Sequence, residues 1–232
     1  KTSGTLSWYW LSLSGVLLAL RLAVQVCAVG LAFLAGCSTQ TTHQPGRTGM
    51  ELDGIVQTEQ SVNGITLRVA EAGPEDGPLL ILIHGWPELS YSWRYQIPAL
   101  AEAGYRVIAP DMRGYGGSDA PEAIEAYNIQ QLTGDIAGLV NSYGRDKATL
   151  IGHDWGAFTT SALAAYPDSP FAEHITMAVP PVGAINRSRG ALTRQLRMAP
   201  RQLRNSWYIL FFQLPGLPER LLPRIIPRLW RD

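Results

Sequence analysis

Four short apolar runs, separated by stretches of helical spacing, constrain this chain more than any other feature. Leu79–Ile83, Arg106–Ala109, Ala148–Ile151 and His174–Val179 are too short for helices and read as strands buried on both faces. The intervening Tyr91–Ala103, Asn128–Tyr143 and Trp155–Tyr166 suit helices. In the second of these, Ile129, Leu132, Ile136, Leu139, Val140 and Tyr143 recur at three/four spacing. Upstream, Ile55–Val62 and Ile65–Ala70 flank Asn63-Gly64, a strong hairpin signal. The expected fold class is therefore α/β, a mostly parallel sheet with helices on both faces and an antiparallel hairpin at its edge.

This core is expected over residues 52–180. Past Pro180-Pro181 the pattern changes: residues 187–231 hold ten arginines, no lysine and Glu219 as the one acid. A helical insertion over 181–232 is expected, with a helix around Leu203–Leu214 and with Pro215, Pro218, Pro223 and Pro227 breaking up the chain beyond it. The formal net charge of zero removes any global electrostatic case for nucleic-acid binding. The two cysteines, Cys27 and Cys37, both precede the core, so there is no disulfide framework and no metal-ligand spacing; no metal or cofactor is expected. Oligomeric state is not legible.

Val16–Gly36 is apolar apart from Arg21 and Gln25. A basic residue, an apolar core and small residues at its end make a secretory signal. Leu34-Ala35-Gly36-Cys37 resembles the lipobox of bacterial lipoproteins, which implies lipidation of Cys37, a segment 1–37 that directs the chain to the cell envelope, and a polar tether over 38–51. Two alternatives stand beside it: an uncleaved membrane anchor, or a true start at Met50 and a cytoplasmic protein.

The chemistry centres on Gly152-His153-Asp154-Trp155-Gly156, where a buried strand turns into a helix. A turn this tight needs small residues beside it, supplied by Gly152 and Gly156, and it holds the central side chain over the C-terminal edge of the sheet. An aspartate there is already ionised; it can displace a leaving group from saturated carbon and leave an ester on the enzyme. The alternative role is a cap on the following helix. His84-Gly85-Trp86-Pro87-Glu88 comes straight after the first buried strand, so the backbone N–H groups of Trp86 and Trp155 are candidate oxyanion donors, with His84, Gly85, Pro87 and His153 as motif support. The Gly-rich loop Asp111–Ser118 contains no phosphate-cradle pattern and reads as structural.

These three motifs, in this order and spacing, resemble the epoxide hydrolase branch of the α/β-hydrolases, with a match from about residue 52 onward over roughly two-thirds of a typical domain. The resemblance implies a small apolar epoxide as substrate and a cap insertion whose first tyrosine reaches the epoxide oxygen. Trp207-Tyr208-Ile-Leu-Phe-Phe-Gln-Leu-Pro-Gly places Tyr208 at that tyrosine; its alternative role is a core aromatic. A phenol is needed because ring opening expels an alkoxide, a poor leaving group. The resemblance also implies a late histidine and acid that hydrolyse the ester. None of His43, His84, His153 and His174 fits that role, so the pair is expected beyond Asp232 and the chain as written is expected to be alkylated once and stall. A haloalkane dehalogenase shares the aspartate and the tryptophan after it, and a membrane-tethered, non-catalytic binding protein would use the fold without turnover.

Overall fold

The computed structural model describes residues 54–166, 169, 171, 173–179, 200 and 204–229. The chain divides into two compact units, one containing residues 54–179 and the other residue 200 and residues 204–229. Cys37, the signal-like segment and the tether lie outside the described residues.

The first unit is built on a six-stranded sheet: β1 (Val56–Val62), β2 (Ile65–Ala72), β3 (Leu79–Ile83), β4 (Arg106–Pro110), β5 (Thr149–His153) and β6 (His174–Met177), in the order β1-β2-β4-β3-β5-β6. β1 and β2 form the expected hairpin, with Asn63 at φ 48 and Gly64 at φ 77. Two consecutive left-handed residues match the right-handed twist of the strands they join, which is why Asn-Gly is favoured there. β2 joins β4 antiparallel, and the pairings of β3 with β4, β3 with β5 and β5 with β6 are parallel.

All five residues of β3 are buried, as a strand covered on both faces requires. Leu80 and Leu82 face one layer with Ala70, Val107, Ala109, Trp93 and Ile97. That layer is the side of α1 (Gln96–Glu102). On the opposite face lie α2 (Ile129–Ser142) and α3 (Trp155–Ala164), which touch each other, as right-handed crossovers demand. Asn128 caps α2 by accepting from Gln131 N–H at 3.0 Å, which satisfies one of the free donors of the first turn.

Three elements differ from expectation. The helix expected over Tyr91–Ala103 is split into a 3-10 turn, Ser90–Trp93, and α1. Pro98 explains the break: its ring would clash with the Arg94 carbonyl in a continuous helix, whereas in the first turn of α1 its missing N–H costs nothing. β6 ends at Met177 rather than Val179, because Ala178 turns out of the sheet at φ 68. In the second unit, α4 (Trp207–Phe211) is followed by Gly216 at φ 74 and then by α5 (Leu217–Leu229), a helix that runs through the prolines expected to break it. Pro218 sits in the first turn. Pro223 and Pro227 have no N–H to donate and each forfeits one hydrogen bond within the helix, which continues through both.

Candidate active site

Strand order alone locates the crevice. The chain leaves β3 towards β4 on one side and leaves β5 towards β6 on the other, and β3 and β5 are neighbours. The connections therefore diverge just beyond the C-terminal ends of these two strands, the switch point at which open α/β sheets place their ligands. Asp154 is the first residue after β5.

Asp154 has φ 52 and ψ −115, a left-handed conformation that costs a non-glycine residue about 1–3 kcal/mol and is found where the fold overdetermines it. Its N–H donates to the Met177 carbonyl at 3.1 Å, tying the elbow to the end of β6. The side chain makes no cap hydrogen bond to α3, which removes the capping alternative. Instead Asp154 Oδ1 accepts from Trp86 N–H at 3.1 Å. The Trp155 N–H opens α3, and the first N–H groups of a helix have no acceptor within it.

The space around the elbow allows only glycine at three positions. A Cβ on Gly85 would lie 2.5 Å from Asp154 Cβ and 2.9 Å from Asp154 Oδ1. A Cβ on Gly156 would run into the backbone of Ile83 and His84, and one on Gly152 into Gly156 and Thr160. The requirement at all three is room.

The Gly85–Glu88 loop closes as a turn, with Glu88 N–H donating to the Gly85 carbonyl at 2.9 Å and a cis Trp86–Pro87 peptide, so its cis proline at the third position makes it type VI. Glu88 Oε2 accepts from Gly85 N–H at 3.3 Å and pairs with His153 Nδ1 at 3.0 Å, a link from the turn to the elbow. His84 is buried behind the turn. Its Nδ1 lies 2.8 Å from the Gly85 carbonyl, and its Nε2 accepts from Met112 N–H at 2.9 Å. Burial holds its pKa below the ordinary value, so the ring is neutral at pH 7.

The Asp111–Ser118 loop is structural, as its pattern suggests. Asp111 accepts from Ser90 N–H at 2.8 Å and Gly117 N–H at 3.1 Å, which binds this loop to the segment following the turn. Arg113 forms a bidentate pair with Asp135 of α2 at 2.8 and 2.6 Å, and Asn63 of the hairpin donates to the same carboxylate at 2.9 Å.

Asp154, Trp86, Trp155, His84 and His153 thus converge at one sheet edge. Tyr208 lies on α4 in the second unit, 42% exposed and with its ring edge-on to Phe212. His174 pairs with Leu150, while Met177 pairs with His153, so His174 sits at the opposite end of the strand from the elbow. Glu88 had no assigned role in the sequence; the visible signal was an acid four residues after His84. An open groove of about 690 Å³ is lined by Leu79, Arg145, Lys147, Thr149 and Glu173 at the N-terminal ends of β3 and β5, away from this chemistry. Among the described residues, no group of three His, Cys, Asp or Glu side chains is placed to hold a metal ion.

A mostly parallel sheet with a strained strand-to-helix elbow at its switch point defines a hydrolase-type fold. The alpha/beta hydrolase fold family matches residues 78–215, and the chain belongs to that family. It is 48% identical over 157 residues to epoxide hydrolase A of Mycobacterium tuberculosis, covering 68% of this chain and 47% of that relative. It is 45% identical over 172 residues to an AB hydrolase superfamily protein of Bacillus subtilis, covering 74% and 57%. Among solved structures, epoxide hydrolase A from Mycobacterium thermoresistibile aligns at 46% identity with a TM-score of 0.58, covering 70% of this chain and 50% of that one. A Vigna radiata epoxide hydrolase mutant aligns at 36% identity with a TM-score of 0.62, covering 74% and 52%. The chain spans about half the length of the relatives it matches.

Proposed function

We propose that this chain belongs to an enzyme that opens small apolar epoxides to diols through an ester on Asp154. The observation that carries the reading is the Trp86 N–H bond to Asp154 Oδ1, which holds one carboxylate oxygen beneath a loop donor and leaves Oδ2 to attack. Oδ2 bonds to an epoxide carbon, the carbon–oxygen bond of the ring breaks, and the electron pair goes to the ring oxygen. That oxygen takes a hydrogen bond and then a proton from the phenol of Tyr208. Oδ1 is now the ester carbonyl oxygen. When water adds to Cγ, negative charge develops on Oδ1, and the N–H groups of Trp86 and Trp155 stabilise it. Collapse expels the diol, whose second hydroxyl takes one proton of the added water; the other returns to the Tyr208 phenolate as the carboxylate re-forms, and an oxygen atom from water is left in the aspartate. Activation of that water calls for a general base within hydrogen-bonding reach of it.

The relatives named epoxide hydrolase support this reading over halide displacement. The direct test compares an aryl epoxide with a bromoalkane. Tyr208→Phe should slow alkylation by the epoxide at least ~10-fold, since a phenol donor of this kind contributes ~100-fold or more, and should leave the bromoalkane rate unchanged. Equal effects on both electrophiles would remove Tyr208 from the mechanism. We further propose that Cys37 is lipidated and holds the enzyme at the cell envelope, as its lipobox-like context supports. Fatty-acid labelling that persists in Cys37→Ala would refute this.

A further inference from the structure

A peptide unit is planar, with its C=O and N–H directed oppositely, so fixing one end aims the other. Both ends of the Gly85–Trp86 unit are engaged. The Gly85 carbonyl lies 2.8 Å from His84 Nδ1, and the Trp86 N–H points at Asp154 Oδ1 from 3.1 Å. The His84 ring cannot swing: it is 2% exposed, Tyr115 stands edge-on to it at 5.0 Å, and Met112 N–H donates to Nε2. An N–H can only donate, so Nε2 is the bare nitrogen and Nδ1 carries the proton that meets the Gly85 carbonyl. Burial favours this neutral form. Glu88 N–H reaches the same carbonyl, but it belongs to the turn and moves with it. The His84 ring is braced from outside the turn, on Met112 just past the end of β4.

We infer that His84 is a positioning residue for the nucleophilic step: braced on Met112, its Nδ1–H sets the rotation of the Gly85–Trp86 peptide and so aims the Trp86 N–H at Asp154. The inference rests on the reading of Asp154 as nucleophile.

Two substitutions separate aiming from mere support. In His84→Asn the amide nitrogen falls near the place of Nδ1, keeping the donor and losing the Met112 contact. In His84→Gln the amide reaches the place of Nε2, keeping that contact and losing the donor. Each removes one of two hydrogen bonds, so their melting temperatures should fall together. Alkylation of the full chain by styrene oxide, followed by intact mass, should remain within ~10-fold of the unaltered chain in His84→Asn. In His84→Gln its limiting rate should fall ~100-fold, the scale of a nucleophile misplaced by about 1 Å, with the half-saturating epoxide concentration unchanged. Equal rate losses in the two variants, in step with melting temperature, would overturn the positioning role. The Trp86 amide proton, observed by NMR, reports the aim without any chemistry. Its shift on Asp154 ionisation should persist in His84→Asn and vanish in His84→Gln, and an identical response in both overturns the inference. Absence from the unaltered chain of both an adduct and, in ¹⁸O-enriched water, ¹⁸O at Asp154 overturns instead the nucleophile reading on which it rests.

Discussion

Replacing Gly85 with alanine puts a methyl group into space that Asp154 already fills. The added carbon would lie 2.5 Å from Asp154 Cβ, 2.9 Å from Asp154 Oδ1 and 2.9 Å from the His153 carbonyl. Carbon atoms in contact sit about 3.5–4.0 Å apart, so relief requires the turn and the elbow to separate by ~1 Å. Neither partner is a flexible tip. The Asp154 backbone donates to the Met177 carbonyl and accepts from the Ala157 and Phe158 N–H groups, and the turn is held by His84 and Glu88. Separation lengthens the 3.1 Å Trp86–Asp154 bond beyond hydrogen-bonding range. A displacement of this size costs ~100-fold in the rate of a positioned reaction, and overpacking costs ~1–3 kcal/mol of stability. Gly144→Ala is the control. Gly144 has φ +64 with nothing within 4 Å of an added Cβ, so the alanine carries backbone strain of ~1–2 kcal/mol but no contact with the site. The assay is the rate at which the intact mass rises by one epoxide, measured beside urea denaturation. Gly85→Ala should lose both rate and stability, and Gly144→Ala stability alone. A Gly85→Ala variant alkylated at the normal rate would refute the proposed dependence of alkylation on the turn's placement against Asp154.

The Arg113–Asp135 pair has side chains 4% and 0% exposed, so Asp135→Ala leaves a buried guanidinium unpaired and should cost ~3–5 kcal/mol by urea denaturation. A loss under ~1 kcal/mol would contradict its burial. His84 gives stability a pH dependence. Its pKa is lowered on folding from 6.5, so below that pH the unfolded chain binds more protons and stability falls as pH drops, by at most ~1.4 kcal/mol per pH unit. His84→Gln should flatten that part of the slope between pH 7.5 and 5.5, and an unchanged slope would show that His84 protonates as readily folded as unfolded. Tyr143 OH donates to Glu71 Oε2 at 3.0 Å beneath the hairpin, so Tyr143→Phe should cost ~1 kcal/mol with no change in alkylation rate.

Features that depend on near neighbours in the chain are legible in the residues themselves. Asn63-Gly64 specifies its own turn, and Gly152 and Gly156 flank an elbow whose tightness only small residues allow. The burial of Leu79–Ile83 follows from an uninterrupted apolar run. Pairings between partners distant in sequence are not legible in this way. Glu88 and His153 are 65 residues apart, and no local pattern announces their contact. The same holds for Asp111 with Ser90 and for Met112 with His84. The split at Pro98 is visible in principle, since a proline three residues into α1 forbids an unbroken helix from Tyr91. α5 shows the opposite case: the chain stays helical through prolines that look decisive in the sequence.

The central claim is that Asp154 makes the bond to substrate, and oxygen-isotope labelling tests it most directly. The chain is incubated with styrene oxide in ¹⁸O-enriched water and digested, and the peptide containing Asp154 is weighed before and after mild base releases any ester. If the ester persists, that peptide carries one epoxide mass; if it is hydrolysed, the peptide carries ¹⁸O in the Asp154 carboxylate, because water adds to Cγ. Either mass change at Asp154, and its absence in Asp154→Ala, is the predicted result. An unmodified, unlabelled Asp154 peptide, or an adduct that survives Asp154→Ala, would contradict the account.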